Sequence, residues 1–275
     1  MRAACVQMRS GVGREANLRD ALALIAEAAG EGADFIATPE MTNAVDRKAR
    51  RLLEGLPQEA ALEEVAAFAN AAKTHGAWLL IGSLAASDGA GKAANRSMLF
   101  SPDGAIVARY DKLHMFDVDL PGGESWKESK VYAPGAEAVL VETPFAKLGL
   151  SICYDVRFPS LYRRLAQAGA EILCVPAAFT RQTGKAHWKT LLTARAIENG
   201  AFVIAPAQGG LHEDGRETYG HSMIIGPWGE VLAEASGDAP GIIIADINLK
   251  QAHDARARIP NLGLERDYKI SIIKQ

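Results

Sequence analysis

Three short stretches in the first half of this chain recur, in the same order, in the second half. Gly32-Ala33-Asp34-Phe35-Ile36 followed by Pro39 returns as Gly169-Ala170-Glu171-Ile172-Leu173 followed by Pro176. Gly76-Ala77-Trp78-Leu79-Leu80 returns as Gly200-Ala201-Phe202-Val203-Ile204. Ser97-Met98 ahead of Pro102-x-Gly104 and Ala108 returns as Ser222-Met223 ahead of Pro227-x-Gly229 and Ala233, at one constant offset. Chance can produce one such match, but three in order indicate two related halves. Short apolar runs alternate with amphipathic segments: strands are expected at Ala3–Met8, Asp34–Ala37 and Trp78–Ile81, helices at Asn17–Ala29 and Glu59–Thr74. The turns Ser101-Pro102-Asp103-Gly104 and Gly226-Pro227-Trp228-Gly229 read as hairpins. Two related α/β halves without a linker bury their sheets against each other. The expected architecture is therefore an α/β fold, a four-layer α-β-β-α sandwich with pseudo-two-fold internal symmetry, forming a single domain over residues 1–275.

A chain of 275 residues that is 48% apolar can bury a large core. Its net charge of −3, without clustered lysines and arginines, argues against a nucleic-acid surface and for a small-molecule partner. The apolar stretch Ala3–Val6 is interrupted by Gln7 and ended by Arg9, too short for a signal-peptide core or a membrane span. The three cysteines, Cys5, Cys153 and Cys174, show no C-x-x-C spacing and fit a reducing compartment, so a cytoplasmic protein with no membrane partner is expected.

Cys153 ends the apolar run Leu148-Gly149-Leu150-Ser151-Ile152 and precedes Tyr154-Asp155-Val156-Arg157-Phe158-Pro159, whose proline is tolerated in a first helical turn. The thiol therefore sits at a strand-to-helix elbow, where unpaired N–H groups favour negative charge. A small buried core residue is the alternative. A free thiol is largely protonated at neutral pH, so a nucleophile here needs an activating group. His187 and His221 lack a convincing orienting Asn or Asp. The internal comparison offers another partner: Thr38-Pro39-Glu40 ends its strand with a carboxylate where the second half has Val175-Pro176-Ala177. Lys112 follows the first hairpin. Glu40, Lys112 and Cys153 all follow strand-like runs, and a two-sheet sandwich can bring them to one end.

These segments resemble the nitrilase superfamily of carbon–nitrogen hydrolases. Thr38-Pro39-Glu40 is similar to its glutamate motif, Tyr110-Asp111-Lys112-Leu113-His114 to its lysine motif, and Ser151-Ile152-Cys153-Tyr154-Asp155-x-Arg157-Phe158-Pro159 to its cysteine motif. The likeness is nearest the Nit-type amidases, which include deaminated-glutathione amidase and omega-amidase. It rests on Lys112–Val118, Trp126-Lys127-Glu128-Ser129, Thr183–Trp188, Arg195–Asn199 and Tyr219–Met223, with Lys185 standing where proline is usual.

The resemblance implies hydrolysis of an omega-amide through a thioester, releasing ammonia and a carboxylate, with deaminated glutathione or a related 2-oxo dicarboxylate monoamide as substrate. It implies Cys153 as nucleophile and Glu40 as general base. Lys112 and the Tyr154 backbone N–H would stabilise the oxyanion, and Glu128 would be an auxiliary glutamate. Phe116, Arg157, Phe179, Thr183 and His187 are the implied substrate contacts. Arg157, Arg181 and Lys185 are candidates to receive a substrate carboxylate. No cofactor and no metal are implied, and a homodimer or higher homo-oligomer is expected, with Arg157-Phe158-Pro159 and the C-terminal tail near the subunit contact. N-carbamoyl amino acid hydrolysis and nitrile hydrolysis remain alternatives within the superfamily. Outside it stand a zinc hydrolase using His114, His187, His212 or His221, which lacks an H-E-x-x-H or paired-cysteine motif, and a non-catalytic binding module.

Overall fold

The first two repeated stretches are parallel strands with the glycines that lead into them, and the third lies in antiparallel hairpins. The computed structural model describes residues 1–120 and 123–274. The first half runs β1 (Arg2–Gln7), α1 (Arg14–Gly30), β2 (Phe35–Ala37), α2 (Ala49–Leu53), α3 (Glu63–His75), β3 (Trp78–Ser87), β4 (Ala93–Phe100) and β5 (Ile106–Asp111). A hairpin of β6 (Asp117–Asp119) and β7 (Ser125–Lys127), then the short β8 (Tyr132–Ala133), lead onward. The second half runs β9 (Leu140–Glu142), β10 (Lys147–Leu150), α4 (Pro159–Gln167), β11 (Ile172–Cys174), α5 (Arg181–Asn199) and β12 (Phe202–Ala205). It continues through the hairpin β13 (Gly209–Leu211) and β14 (Glu217–Tyr219), then β15 (Met223–Ile225) and β16 (Val231–Glu234), followed by β17 (Gly241–Asp246) and α6 (Lys250–Arg258).

The two main sheets have one plan. Strands β17-β1-β2-β3-β4-β5 form the first, with β8 beside β4, and β9-β10-β11-β12-β15-β16 form the second. In each, the three central strands are parallel and the flanking strands antiparallel. The repeated Gly76 and Gly200 cap α3 and α5 with φ of 63° and 52°, a left-handed turn that glycine adopts without a Cβ clash. The repeat thus records where each helix must stop and turn into its strand.

Alternation along β1 builds the layers. Ala3 and Cys5 pack with Leu148, Leu150, Ile172 and Cys174 of the second sheet. Ala4 and Val6 face the other way, onto Ala21 and Ile25 of α1 and Phe68 and Ala72 of α3. Tyr162 and Leu165 of α4 and Trp188, Leu192 and Ala196 of α5 pack into the core cluster that holds the second sheet. These are the expected α-β-β-α layers. Local boundaries differ from expectation where a polar cap or a break intervenes. Helix α5 begins at Arg181, where the Thr180 hydroxyl accepts the Thr183 N–H. The expected helix Glu59–Thr74 is split into a single 3-10 turn at Glu59–Ala61 and α3. No helix among the described residues is long and apolar enough to cross a membrane.

Two links settle where a site can form. Met8, just past β1, bridges in parallel to Gln208, just past β12, so the central strands of both sheets end at the same end of the sandwich. Strand β5 runs with β3, being two antiparallel steps away. Glu40 after β2, Lys112 after β5 and Cys153 after β10 therefore share that end, where open α/β sheets bind their ligands.

The edge strand β17 comes from the far end of the sequence yet completes the first sheet, from Arg2↔Asp246 to Gln7↔Gly241. We propose on this ground that residues 1–275 form one folding domain. A chain ended before Gly241 should lose cooperative unfolding in circular dichroism, and the full chain should melt in one transition. Two resolved transitions would show that the halves fold apart.

Candidate active site

Lys112 is 2% exposed, and its ammonium lies between two carboxylates: 2.8 Å from Glu40 Oε1, and 3.0 and 2.9 Å from the two oxygens of Glu128. Burial of three charges is tolerable only if their remaining hydrogen-bonding positions are filled. Asn95 on β4 donates one amide to both Glu40 Oε1, at 2.9 Å, and Glu128 Oε1, at 3.2 Å. Backbone N–H groups complete the pair: Ala178 donates to Glu40 Oε2 at 2.9 Å, and Phe116 to Glu128 Oε2 at 2.6 Å. Ala178 stands next to Ala177, the residue matching Glu40 in the second half. That half lacks the carboxylate and supplies a hydrogen bond to it instead.

Cys153 opens a 3-10 turn, Cys153–Arg157, with φ of +50°, a conformation uncommon for a side-chain-bearing residue. Its N–H donates to Pro176 O at 2.9 Å. The Tyr154 N–H follows in the turn, where the first donors have no partner within the turn itself. Asp155, fully buried, holds the turn against the lysine strand. Its Oδ2 accepts the Tyr110 hydroxyl at 2.6 Å and the Ile152 N–H at 2.8 Å, while Oδ1 meets the His114 N–H and, at 2.7 Å, His114 Nδ1. Burial and the Asp155 charge push the Tyr110 phenol well up, so it stays a donor.

The electrostatics separate the roles. Burial works against ionisation of Glu40, but the Lys112 charge and the hydrogen bonds outweigh it and hold the carboxyl below its ordinary value. Burial also opposes charge on Lys112, yet Glu128 and Glu40 overcome it and raise the ammonium well above its usual range. For Cys153, burial and then the Glu40 charge raise the thiol well above its ordinary value, with Lys112 only partly opposing them. At neutral pH the site thus holds a carboxylate, an ammonium and a neutral thiol.

Glu40, Lys112, Glu128, Cys153 and Tyr154 line one cavity of about 230 Å³, together with Phe116, Phe179 and Thr183. Arg157 and His187 do not line it. Arg157 lies over the Phe179 ring at 5.4 Å and touches His187 at 3.3 Å on the exposed side. Arg181 is paired with Asp238 and Glu217 outside the cavity, and Lys185 is exposed on α5, so its substitution for proline leaves the wall to Thr183. The arginines on the wall, beside Lys112 and Lys127, are instead Arg47 and Arg216, neither of which the sequence distinguishes from surface arginines. Asn95 and Asp155 were also not singled out, although a polar residue inside the run Ala93–Phe100 is a signal for a buried partner. The four histidines weighed as zinc ligands have separate hydrogen-bond partners, and among the described residues no three His, Cys, Asp or Glu side chains gather as a metal site.

The Carbon-nitrogen hydrolase family matches residues 2–257. A deaminated glutathione amidase of Synechocystis sp. is 43% identical over 264 residues, covering 94% of this chain and 96% of that protein. An omega-amidase of Danio rerio is 36% identical over 278 residues, covering 100% and 98%. The crystal structure of the C. elegans NitFhit protein superimposes with a TM-score of 0.89 at 36% identity, covering 96% of this chain and 65% of that longer one. The chain belongs to the carbon–nitrogen hydrolase family.

Gly82 on β3 is what lets the two proline loops meet. A Cβ there would lie 2.1 Å from Thr38 O, 2.6 Å from Pro39 O and 2.4 Å from Pro176 Cβ. Gly82→Ala should cost about 2–3 kcal/mol in denaturant unfolding and displace Glu40. Gly30→Ala, in open space at the end of α1, should be neutral or slightly stabilising.

Proposed function

We propose that this carbon–nitrogen hydrolase cleaves the amide bond of deaminated glutathione or a related 2-oxo dicarboxylate monoamide through a thioester on Cys153. The observation that carries this reading is the buried Glu40–Lys112–Glu128 cluster opening, with the Cys153 elbow, onto one cavity. The identity to a deaminated glutathione amidase supports the substrate.

The resting thiol is neutral, so proton transfer accompanies attack. Glu40 takes the thiol proton as sulfur bonds to the carbonyl carbon, and the carbonyl electron pair moves to oxygen. Lys112 and the Tyr154 N–H receive that oxyanion. When the carbonyl re-forms, the C–N bond breaks and Glu40 returns its proton to the leaving nitrogen. A primary amide yields ammonia. In deaminated glutathione the scissile nitrogen belongs to cysteinylglycine, so the departing product is that dipeptide; the release of ammonia expected from the sequence holds only for primary amides. Water then gives a proton to Glu40 and attacks the thioester, and the sulfur leaves with the proton back. Glu128 keeps Lys112 charged and placed. Protons balance over the cycle, and no step calls on a cofactor.

The same reading makes the protein a cytoplasmic enzyme and a homodimer or higher homo-oligomer acting on a small molecule, with no nucleic-acid or membrane partner. The exposed apolar side chains Leu264, Tyr268, Ile270, Ile272 and Ile273 of the C-terminal segment support self-association.

Turnover of deaminated glutathione, 2-oxoglutaramate, succinamate, simple nitriles and N-carbamoyl amino acids, followed by release of the acid, tests the substrate class; the first two should lead. Cys153→Ser and Glu40→Gln should each lower kcat by roughly 10³-fold or more. Full activity in both variants would falsify the assignment.

The pH profile tests the charge arrangement. Glu40 acts as its carboxylate, so kcat/KM should fall only as pH drops through a value below the ordinary 4.5. Lys112→Met removes the ammonium that offsets burial; it should cost on the order of 10²–10³-fold in kcat and move the acid limb of the residual activity above 4.5.

A further inference from the structure

Two arginines on the cavity wall have no part in this chemistry. Arg47 and Arg216 both set their guanidinium carbons over the indole of Trp126, at 4.8 and 4.6 Å from its centroid. The same three residues line a more open groove outside, so they stand where cavity and groove meet.

Arg216 is 9% exposed, and its charge is poorly satisfied. Among the described residues its Nε has no hydrogen-bond partner. One terminal nitrogen reaches only Met41 Sδ, at 3.4 Å, a weak acceptor. The nearby Asp214 carboxylate is 3.9 Å from Nε, and its other oxygen accepts the Arg216 backbone N–H. Asp46, on the same wall, is held by Arg51 at 2.8 Å and by the Lys48 N–H. A buried guanidinium with so little acceptor is costly until an anion completes it, and its planar fork fits a carboxylate. An aromatic path joins it to the nucleophile: Trp126 lies 6.3 Å from Phe116, and Phe116 5.1 Å from Tyr154.

We infer that Arg216, stacked on Trp126 and assisted by the exposed Arg47, receives a substrate carboxylate remote from the scissile amide, so that the cavity selects anionic amides. This rests on the amide-hydrolysis reading above and names its specificity group.

The carboxylate can sit on the acyl part or on the departing amine, and two isosteric pairs separate these: succinamate against succinamide, and deaminated glutathione against its C-terminal carboxamide. The enzyme should prefer the charged member of at least one pair by on the order of tenfold to a hundredfold in kcat/KM. Arg216→Gln should remove that preference chiefly through KM, and Arg216→Lys should restore part of it. Arg47→Ala, at an exposed position where folding is not at stake, should reduce the preference less, and more at low salt.

A preference that survives Arg216→Gln, or an enzyme with none in either pair, overturns the inference. Calorimetric binding of glutarate to Cys153→Ala, with and without Arg216→Gln, reads the anion site without turnover: tenfold weaker binding supports it and unchanged binding overturns it. Glutarate binding through Arg216 in an enzyme that hydrolyses no member of either pair would keep the anion site and sink the hydrolase reading.

Discussion

An ammonium buried between two carboxylates is the constraint around which this fold is organised. Such a cluster destabilises a protein unless every charge is held and every spare lone pair is met. The partners come from separate places: Asn95 from β4, the Ala178 N–H from the loop after β11, the Phe116 N–H from the segment after β5. The full set of partners therefore comes together only where the loop after β11 meets the first sheet. Burial, and then the Glu40 charge, keep Cys153 resting as a thiol. In the proposed reaction this reserves stabilisation by Lys112 for the oxyanion of the transition state, since negative charge on the resting sulfur is disfavoured.

Pseudo-symmetry gives the site its asymmetry. The loops containing Pro39 and Pro176 are counterparts and meet at Gly82. One carries Glu40. The other has alanine at that position, and its backbone donates to Glu40 at Ala178 and accepts the Cys153 N–H at Pro176. The matched loops thus contribute different groups: a carboxylate from one side, and a backbone donor and a backbone acceptor from the other.

Much of this was legible in the residues. The repeated stretches showed two related halves, and Glu40 stood out because its counterpart is Ala177. Lys112 and Cys153 followed strand-like runs and could be assigned to one end of the sandwich. What was hidden depends on contacts between distant segments. Asn95 reads as one polar residue in a strand, and only folding shows it facing Glu40 and Glu128. Asp155 lies within the cysteine motif, but its hold on Tyr110 and His114 crosses from one sheet to the other. The Ala178 donor is a backbone group, which carries no side-chain signature. Arg157, within the cysteine motif, and His187, on α5, stand off the cavity wall and meet each other on the exposed side. Arg216 could not be told from a surface arginine until its burial was known.

Strand β17 gives the chain a schedule. Synthesis from the amino terminus delivers β1 to β5 early, yet β1 keeps an open edge until Gly241–Asp246 has been made. During that interval the nascent first sheet presents unpaired backbone groups, the kind of edge that recruits other strands. Its pairing with β17 spans nearly the whole sequence, a slow contact to close. A ribosome-bound fragment that already contains Glu40, Lys112 and Cys153 therefore still lacks the strand that closes the first sheet.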